Sequence, residues 1–434
     1  MVFNIHKAFF GTFCLSILST TLAPKLVKFS DELCLFAFVL LALCDIIFNK
    51  NIRAYKLLGV LIGVLLFYLA YSILFSPYNT VAAQINDFII QCKPLVAFGL
   101  AYAIAPRFSA NEKHILKTLC LALGFLMCVF GLTGVGEVLM FHVYFLGLTC
   151  VSCIVAYALV AFDKNIPSGF SQKDLYAIGF LILCGLPCTR SKYYGFCIVV
   201  LYFLFLYKPG IFDLKKIKNW AILLGFIAIV LLVAWQKISY YYFSHDLDMY
   251  DIDQKEAFAR PVLFGGMVLV LADHFWLGSG LASYATYSSG TSVNYSDLYY
   301  DYGINLVLGL SPDYCSFIAD TFFPELAQFG IIGIVCFLVF CYWIWRKFRI
   351  VMRSHHYKLF AIGVISMLFF IIDGVGGCSV LQAVGTVLMV CMGIIASMSK
   401  SVSKAQAKEL LKIPASDVYY NVKIKTDKRY DYEF

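Results

Sequence analysis

The sequence predicts an all-α protein that crosses a membrane many times. Of its 434 residues, 61% are hydrophobic and only 14% are charged, and the mean hydropathy is +0.82. A water-soluble protein of this length carries far more charge on its surface, so a soluble class is excluded. The hydrophobic residues lie in runs long enough to cross a bilayer as helices, and irregular backbone cannot face lipid. Helices are therefore the expected structure of these runs.

About twelve apolar runs have the length of a membrane-spanning helix, nine before and three after one long polar segment. They lie near residues 8–24, 31–48, 56–75, 81–105, 115–134, 139–162, 174–189, 191–207, 218–235, 321–345, 357–374 and 378–398. This pattern divides the chain into an amino-terminal bundle (1–235), a large loop (236–320), a carboxy-terminal bundle (321–398) and a polar tail (399–434).

The lysines and arginines predict that both termini are cytoplasmic. Cytoplasmic loops carry an excess of these residues, and here they concentrate in alternate connections. Those connections lie near residues 50–56, 107–117, 164–173, 208–218 and 346–358. The large loop is then extracytoplasmic, and Lys25 and Lys28 fall on the wrong side of the membrane for this rule. The net charge of +8 is accordingly a topology signal and does not indicate a nucleic-acid partner.

The large loop is rich in aspartate and tyrosine. A loop of this length is usually functional or disordered, and its aromatic density argues against disorder. Residues 261–272 form a nearly pure apolar stretch that is too short to span a bilayer. We expect an interfacial or re-entrant helix over residues 260–277, with Pro261 at its first position and a glycine-rich turn at residues 278–280.

Two arginines stand at the predicted outer ends of apolar segments. Arg260 precedes the short helix, where free N–H groups and the helix dipole favour an anion; an ordinary headgroup contact is the alternative. Arg190 and Lys192 lie between two apolar runs, where a charge costs up to about 3 kcal/mol and needs a partner or a role. A snorkelling turn is the alternative there.

Lys93 lies inside the fourth apolar run, about 120° around the helix from Asp87. The two side chains do not share a helix face, so we expect Lys93 to pair with another element. Both a structural ion pair and a substrate contact remain open for it.

Known catalytic motifs of soluble enzymes do not occur in the chain. GxxxxGK[ST], HExxH and GxSxG are all absent, which leaves nucleotide-loop, zinc-protease and hydrolase interpretations without support. Guanidinium groups suit phosphate through their planar fork, so outward-facing arginines indicate a phosphate delivered by a lipid. The 16 cysteines lie mostly in apolar runs and behave as small hydrophobes. No cofactor and no metal site are predicted.

Three segments carry a resemblance to a known family. Residues 260–280, RPVLFGGMVLVLADHFWLGSG, resemble the signature of the O-antigen polymerase/ligase family, in which an arginine precedes an amphipathic helix ending in a His-Pro-Leu-Gly-x-Gly-like turn. Phe275 replaces the usual proline. Residues 320–333, DTFFPELAQFGIIG, resemble the next element, with Gln328 where glutamate is common. Thr189-Arg190 is similar to a Ser-Arg pair at the outer end of a middle span, so the resemblance covers about residues 180–345.

The resemblance implies a metal-independent glycosyltransferase-type polymerase of the bacterial inner membrane, with a periplasmic loop and an undecaprenyl-pyrophosphate-linked glycan as donor. Arg190 and Arg260 would hold the donor pyrophosphate, and Asp320 or Asp313 would serve the acceptor. The expected partners are the lipid-linked glycan, membrane lipid and a chain-length regulator protein. Further expected substrate contacts are Lys192, His274, Tyr284 and Lys93, although His274 favours a structural role.

Alternative functions remain open at this point. The ligase branch, which transfers O-antigen to lipid A–core, carries a histidine where this chain has Ala319 and Asp320, so the resemblance favours a polymerase. A flippase for the same lipid would spread its charges through a central cavity and would have two similar halves. A scaffold protein of an export complex would tolerate loss of both arginines.

Overall fold

The computed structural model describes residues 4–22, 30–140, 142–209, 225, 259–291 and 293–412. These residues are mostly helical, with almost no sheet, which confirms the predicted all-α class. The predicted span at 218–235, except Gly225, and the acidic start of the loop up to residue 258 lie outside the described residues.

The helices of nine or more residues are α1 (Ile5–Leu22), α2 (Ser30–Asn49), α3 (Lys56–Phe75), α4 (Val81–Ile104), α5 (Ala110–Thr133), α6 (Tyr144–Ala161), α7 (Gln172–Cys184), α8 (Ser191–Val200), α9 (Ala259–Asp273), α10 (Gly330–Ser354), α11 (Tyr357–Gly374), α12 (Ala383–Met398) and α13 (Lys404–Lys412).

Seven segments of the described residues are long and apolar enough to cross a membrane. The chain is therefore a multi-pass membrane protein, and each of the seven coincides with a predicted run. The segments are Ile52–Phe75, Val81–Ile104, Ala110–Thr133, Tyr144–Ala161, Phe322–Ser354, Tyr357–Gly374 and Ala383–Ser401.

Four predicted runs form shorter or more polar helices, and the total of about twelve spans stays a prediction. The first two runs form α1 and α2, and α2 carries the carboxylates of Asp31, Glu32 and Asp45. The run at 174–189 gives only the 13 residues of α7, because the chain then turns through a 3₁₀ segment, Leu186–Cys188, that contains a proline. The next run forms α8, which continues as a π-helix to Leu206.

The helices form an inner and an outer group. Most residues of α4, α6, α11 and α12 are buried, whereas most residues of α3, α5 and α10 are half-buried or exposed. Exposed apolar side chains such as Leu74, Leu132 and Val339 suit contact with lipid. In the inner group, α4 and α12 approach so closely that a Cβ on Gly393 would lie 2.6 Å from the carbonyl oxygen of Phe98. Small residues permit such approaches, which drive helix association inside a membrane.

The predicted extracytoplasmic connections meet at one end of the bundle. Residues 76–80, between α3 and α4, hold the described part of the large loop: Ser76 donates to the carbonyl of Ser279 at 2.6 Å, and Asn79 donates to that of Ala282 at 2.8 Å. The loop also contains a two-stranded antiparallel sheet, β1 (Gly290–Thr291) with β2 (Asn294–Tyr295). Its described residues are thus packed, as their aromatic content predicts.

Helix α9 ends at Asp273, four residues before the predicted end of the short helix at 277, and this corrects the predicted boundary. The carbonyl groups that would continue the helix have other partners. Phe275 accepts from the N–H of Ile331 at 2.8 Å, and Trp276 accepts from that of Ile332 at 3.2 Å. The first N–H groups of a helix have no partner inside it, so the residues after α9 cap the start of α10.

The glycine-rich turn after α9 packs directly on the start of α10. Gly278 and Gly330 both have positive φ, at 77° and 57°, where only glycine is unstrained. A Cβ on Gly278 would overlap the backbone of Gln328, and one on Gly330 would overlap the backbone of Gly278. Two of the three segments that carry the family resemblance therefore lie in backbone contact.

Candidate functional site

Three of the predicted cations, Arg190, Lys192 and Arg260, lie together at the end of the bundle where the large loop packs. We call them the cationic cluster. Lys192 Cε and Arg260 Nε lie 3.6 and 3.5 Å from the position that a Cβ of Gly376 would occupy. Arg190 Nη2 lies 2.7 Å from Nε2 of His142, a ring on which the charges of all three cations act. Elements far apart in sequence thus present their cations to one place.

Arg260 forms an ion pair with Asp320, the predicted acceptor-side carboxylate. Its Nε donates to Asp320 Oδ2 at 2.9 Å, and its Nη2 donates to the same oxygen. Both side chains are about one-third exposed, at 34% and 30%. An ion pair so open to solvent adds little to stability, and it can exchange partners when a more highly charged anion arrives.

Lys192 is held by a buried carboxylate on α11. Its Nζ lies 3.3 Å from Oδ1 of Asp373 and also donates to the carbonyl of Gly376. Asp373 accepts the hydroxyl of Tyr144 at 2.6 Å and the N–H of Ser379 at 2.9 Å, so its position is fixed from three directions. The Tyr144 ring lies 4.8 Å from Lys192 Nζ, which adds a cation–π contact. This arrangement orients the lysine.

Two cations of the cluster stand at the start of a helix, which is the electrostatically unfavourable end for them. Arg190 is the N-cap residue of α8, and Lys192 lies in its first turn. Free N–H groups make the start of a helix positive, so anions are stabilised there and cations are not. Placing two cations at this end is favourable when an anion binds between them and the helix.

His142 faces more hydrogen-bond donors than its ring can accept. Its Nδ1 faces the backbone N–H of Tyr144 at 3.1 Å, while its Nε2 faces the guanidinium of Arg190 at 2.7 Å. A neutral imidazole accepts at only one nitrogen, so both contacts cannot be satisfied together. An anion accepting from Arg190 and from His142 Nε2–H would resolve the conflict. The cluster has the chemistry of a phosphate site.

Anion binding at His142 is expected to depend on pH. Partial burial and then the charge of Arg190 lower the pKa of His142 below its usual value near 6.5, so the ring is neutral at pH 7. A bound anion favours the protonated ring and raises that pKa. Calorimetric titration with inorganic pyrophosphate should therefore show affinity rising as the pH falls from about 8 to about 5.

The control for this prediction is His142→Gln, which keeps hydrogen-bonding groups but does not titrate. Pyrophosphate itself gains protons over this pH range. The contribution of His142 is therefore the difference between the pH dependence of affinity in the wild-type protein and in the variant. Equal pH profiles for the two proteins would contradict a role for His142 in the anion site.

Three other predicted site residues form no hydrogen bond or ion pair with the cluster within the described residues. His274 follows the last turn of α9, at the opposite end from Arg260, and its Nε2 is 2.9 Å from the hydroxyl of Tyr78. Tyr284 is fully buried and donates to the carbonyl of Leu263 at 2.7 Å, which serves to pack the loop on α9. Asp313 is exposed in the loop.

Lys93 pairs with another element, as expected from its position on α4. Its Nζ contacts Asp31 Oδ2 at 2.7 Å and also contacts Glu32, both in the first turn of α2. The Lys93 side chain is buried between the helices. Of the two roles left open for this lysine, the structure gives it a structural ion pair.

The sequence analysis missed His142, Tyr144 and Asp373. A usable signal exists for two of them. Asp373 is a carboxylate at the end of an otherwise apolar run, and His142 lies near the start of another such run. An ionisable residue inside a membrane segment is a functional candidate by default. Tyr144 carries no such signal, because tyrosine is common at both ends of membrane helices.

Comparison with known proteins adds no assignment. No protein-family model matches the chain, and no curated protein matches its sequence.

Proposed function

We propose that this protein is a polysaccharide polymerase. It would transfer oligosaccharide repeat units, of an O-antigen or of a capsular or exported polysaccharide, from undecaprenyl pyrophosphate to another glycan on the periplasmic face of the inner membrane. The observation that supports this most strongly is the meeting of Arg190, Lys192 and Arg260 at one end of an apolar helical bundle. A pyrophosphate anchored in the bilayer by a lipid chain reaches such a place directly.

The number and type of the cations fit a pyrophosphate. Two guanidinium groups offer planar forks that match phosphate oxygens, and the ammonium group of Lys192 adds a point charge held by Asp373. His142 offers a further N–H once an anion occupies Arg190. The donor's negative charge grows as the pyrophosphate leaves, so fixed cations at this place stabilise the transition state more than the bound donor.

The reaction proposed is a displacement at the anomeric carbon of the donor sugar. The acceptor hydroxyl oxygen forms a bond to that carbon, and the bond from the carbon to the pyrophosphate oxygen breaks. The electron pair of the broken bond stays on the pyrophosphate, next to Arg190 and Arg260. The acceptor proton passes to the carboxylate of Asp320, which lies beside Arg260 and is open to solvent.

The loop offers surfaces suited to sugars. Exposed aromatic rings supply flat apolar faces, and tyrosine adds a hydroxyl that hydrogen-bonds. The strongly exposed aromatic residues between residues 259 and 320 include Trp276, Tyr287, Tyr300 and Tyr314. These rings, rather than the buried Tyr284, are the candidates for contact with the glycan.

The contact between Gly278 and Gly330 supports the family resemblance. Residues 260–280 and residues 320–333 each resemble the family independently of the other, and in the fold the two segments pack together through their backbones. Such packing gives a physical reason for both glycine patterns to occur in one chain.

A transfer assay on the purified protein tests the proposal. Lipid-linked repeat units are supplied without nucleotide and with a chelator, and the products are separated on a gel. We expect a ladder of multiples of the repeat unit. Product that forms only after addition of lipid A–core would make the protein a ligase. A folded protein that gives no product with either acceptor, yet moves the lipid across vesicle bilayers, would make it a flippase.

A further inference from the structure

Two carboxylic acid side chains lie buried without a cation and share one site. Asp87 on α4 and Glu325, in the short helical segment Phe322–Glu325, are 0% and 1% exposed. Neither forms an ion pair with any lysine, arginine or histidine among the described residues. Asp45 is also buried without an ion pair, but it lies apart from them on α2 and accepts hydrogen bonds from Asn49 and Tyr55. A buried carboxylate that has neither a cation nor hydrogen-bond donors for both of its oxygens is so unfavourable that it takes up a proton instead.

The two carboxyl groups belong to one polar site. Gln91 follows Asp87 by one helical turn, and its amide donates to Glu325 Oε1. The backbone N–H of Ala282 donates both to Asp87 Oδ2 at 3.0 Å and to Gln328 Oε1 at 3.1 Å. Gln328 lies three residues after Glu325. Asp87 and Glu325 are therefore linked in two ways. One link is Gln91, one turn from Asp87 and hydrogen-bonded to Glu325, and the other is the Ala282 N–H shared by Asp87 and Gln328.

Buried polar atoms in this site lack partners. Asp87 Oδ1 and Gln328 Nε2 are buried and form no hydrogen bond within the described residues, and the same holds for Thr321 Oγ1. A proton on Asp87 Oδ1 would convert an acceptor without a partner into a donor, and it would leave only one negative charge in the site. The unpartnered oxygen of Asp87 is thus the expected place for a ligand as small as a proton.

The surroundings favour a proton over a metal cation. The carboxyl oxygens already face donors: the Ala282 N–H, the Gln91 amide and the Cys378 thiol, whose sulfur lies 3.2 Å from Glu325 Oε2. A metal cation needs free lone pairs, and hydrogen-bond donors on the same oxygens compete with it. The other titratable group that faces the pair, the Tyr299 hydroxyl, is neutral at pH 7 like the thiol.

We propose that Asp87 and Glu325 together hold one proton at neutral pH, and that this proton fastens the large loop to the bundle. Asp87 accepts from Ala282 in the loop. Glu325 contacts Cys378, two residues from Gly376, on which Lys192 and Arg260 pack. Loss of the proton places two negative charges in one buried site and loosens both attachments. The inference does not depend on the proposed transferase activity.

Infrared spectroscopy of the purified protein at pH 7 tests the proposal. A protonated carboxyl group has a C=O stretching band separate from that of a carboxylate. We expect such a band in the wild-type protein, and its loss in the double variant Asp87→Asn/Glu325→Gln. The matched control is Asp45→Asn, since Asp45 is equally buried but accepts hydrogen bonds from Asn49 and Tyr55. The control should keep the band that the double variant loses.

Absence of that band from the wild-type protein, or its persistence in the double variant, would overturn the proposal. If the double variant does not fold, the single variants decide, because the band must shift or vanish in each of them. A band that disappears when sodium replaces choline in the buffer would assign the site to a metal cation and would also overturn it.

Thermal unfolding gives an independent readout. The folded protein binds a proton that the unfolded chain has already released at neutral pH, so stability should fall as the pH rises. One bound proton makes the unfolding equilibrium constant rise about tenfold per pH unit. The double variant should lose this part of the pH dependence, and an identical dependence in wild-type and double variant would contradict the proposal.

Discussion

Replacing Arg260 by alanine is expected to reduce glycan transfer by a factor of about 10²–10³, the usual effect of removing one group that stabilises a developing anion. Arg260 is the residue at which the proposed donor site and acceptor carboxylate meet, since it packs on Gly376 beside Lys192 and pairs with Asp320. The loss should appear in the maximal rate, because the interaction strengthens as the pyrophosphate leaves.

Two further variants sharpen this test. Arg260→Lys keeps the charge but loses the planar fork, so we expect it to remain strongly impaired. Arg107→Ala removes an exposed arginine in the connection after α4, away from the cluster, and should leave transfer unchanged. Wild-type transfer by Arg260→Ala, at equal protein level, would rule out the cationic cluster as the donor site.

Replacing Gly330 by alanine is expected to destabilise the fold by about 2 kcal/mol or more, from a strained backbone and from overpacking. Gly330 has φ 57° and ψ −171°, a conformation open only to glycine. A Cβ there would also overlap the backbone of Gly278, which cannot move aside because the neighbouring Gly280 donates to the Gln328 carbonyl at 3.0 Å. The measurement is the thermal unfolding temperature of the purified protein in detergent.

The control for the glycine prediction is Gly63→Ala. Gly63 lies in α3, and an added Cβ there would meet no atom within 4 Å. Alanine is the better helix former, so this variant should be as stable as the wild type or slightly more so. Equal unfolding temperatures for Gly330→Ala and Gly63→Ala would show that the turn after α9 adapts, and that the backbone contact does not hold α10 in place.

Much of the helical structure follows from the sequence for a simple reason. Every backbone polar group inside a bilayer must be satisfied within its own segment, so an apolar run of spanning length has helix as its only solution. The run at residues 81–105 became α4 almost to the residue. The predicted run at 174–189 forms only a short helix for an equally physical reason: Gly185 and Pro187 disfavour helix there, and α7 ends at Cys184.

The site was predictable only in part. Arg190, Lys192 and Arg260 stood out because a charge beside an apolar run needs a reason. Their convergence did not follow from the sequence, since it depends on contacts between residues separated by more than a hundred positions. His274 fits the family pattern as Arg260 does, and Tyr284 is an expected substrate contact, yet Tyr78 and Leu263 are their partners in the fold. Only the packing of the folded chain distinguishes such residues from those that form the site.

In the proposed transferase, the ion pair between Arg260 and Asp320 would set the order in which the two substrates bind. While Asp320 holds Arg260, its Oδ2 is occupied by two guanidinium N–H groups. A donor pyrophosphate that draws Arg260 away frees that carboxylate at the moment when a sugar is in place to react. The two substrates should then bind in a fixed order, donor before acceptor. Without the donor, the Asp320 carboxylate would stay paired with Arg260 and could not serve as the base.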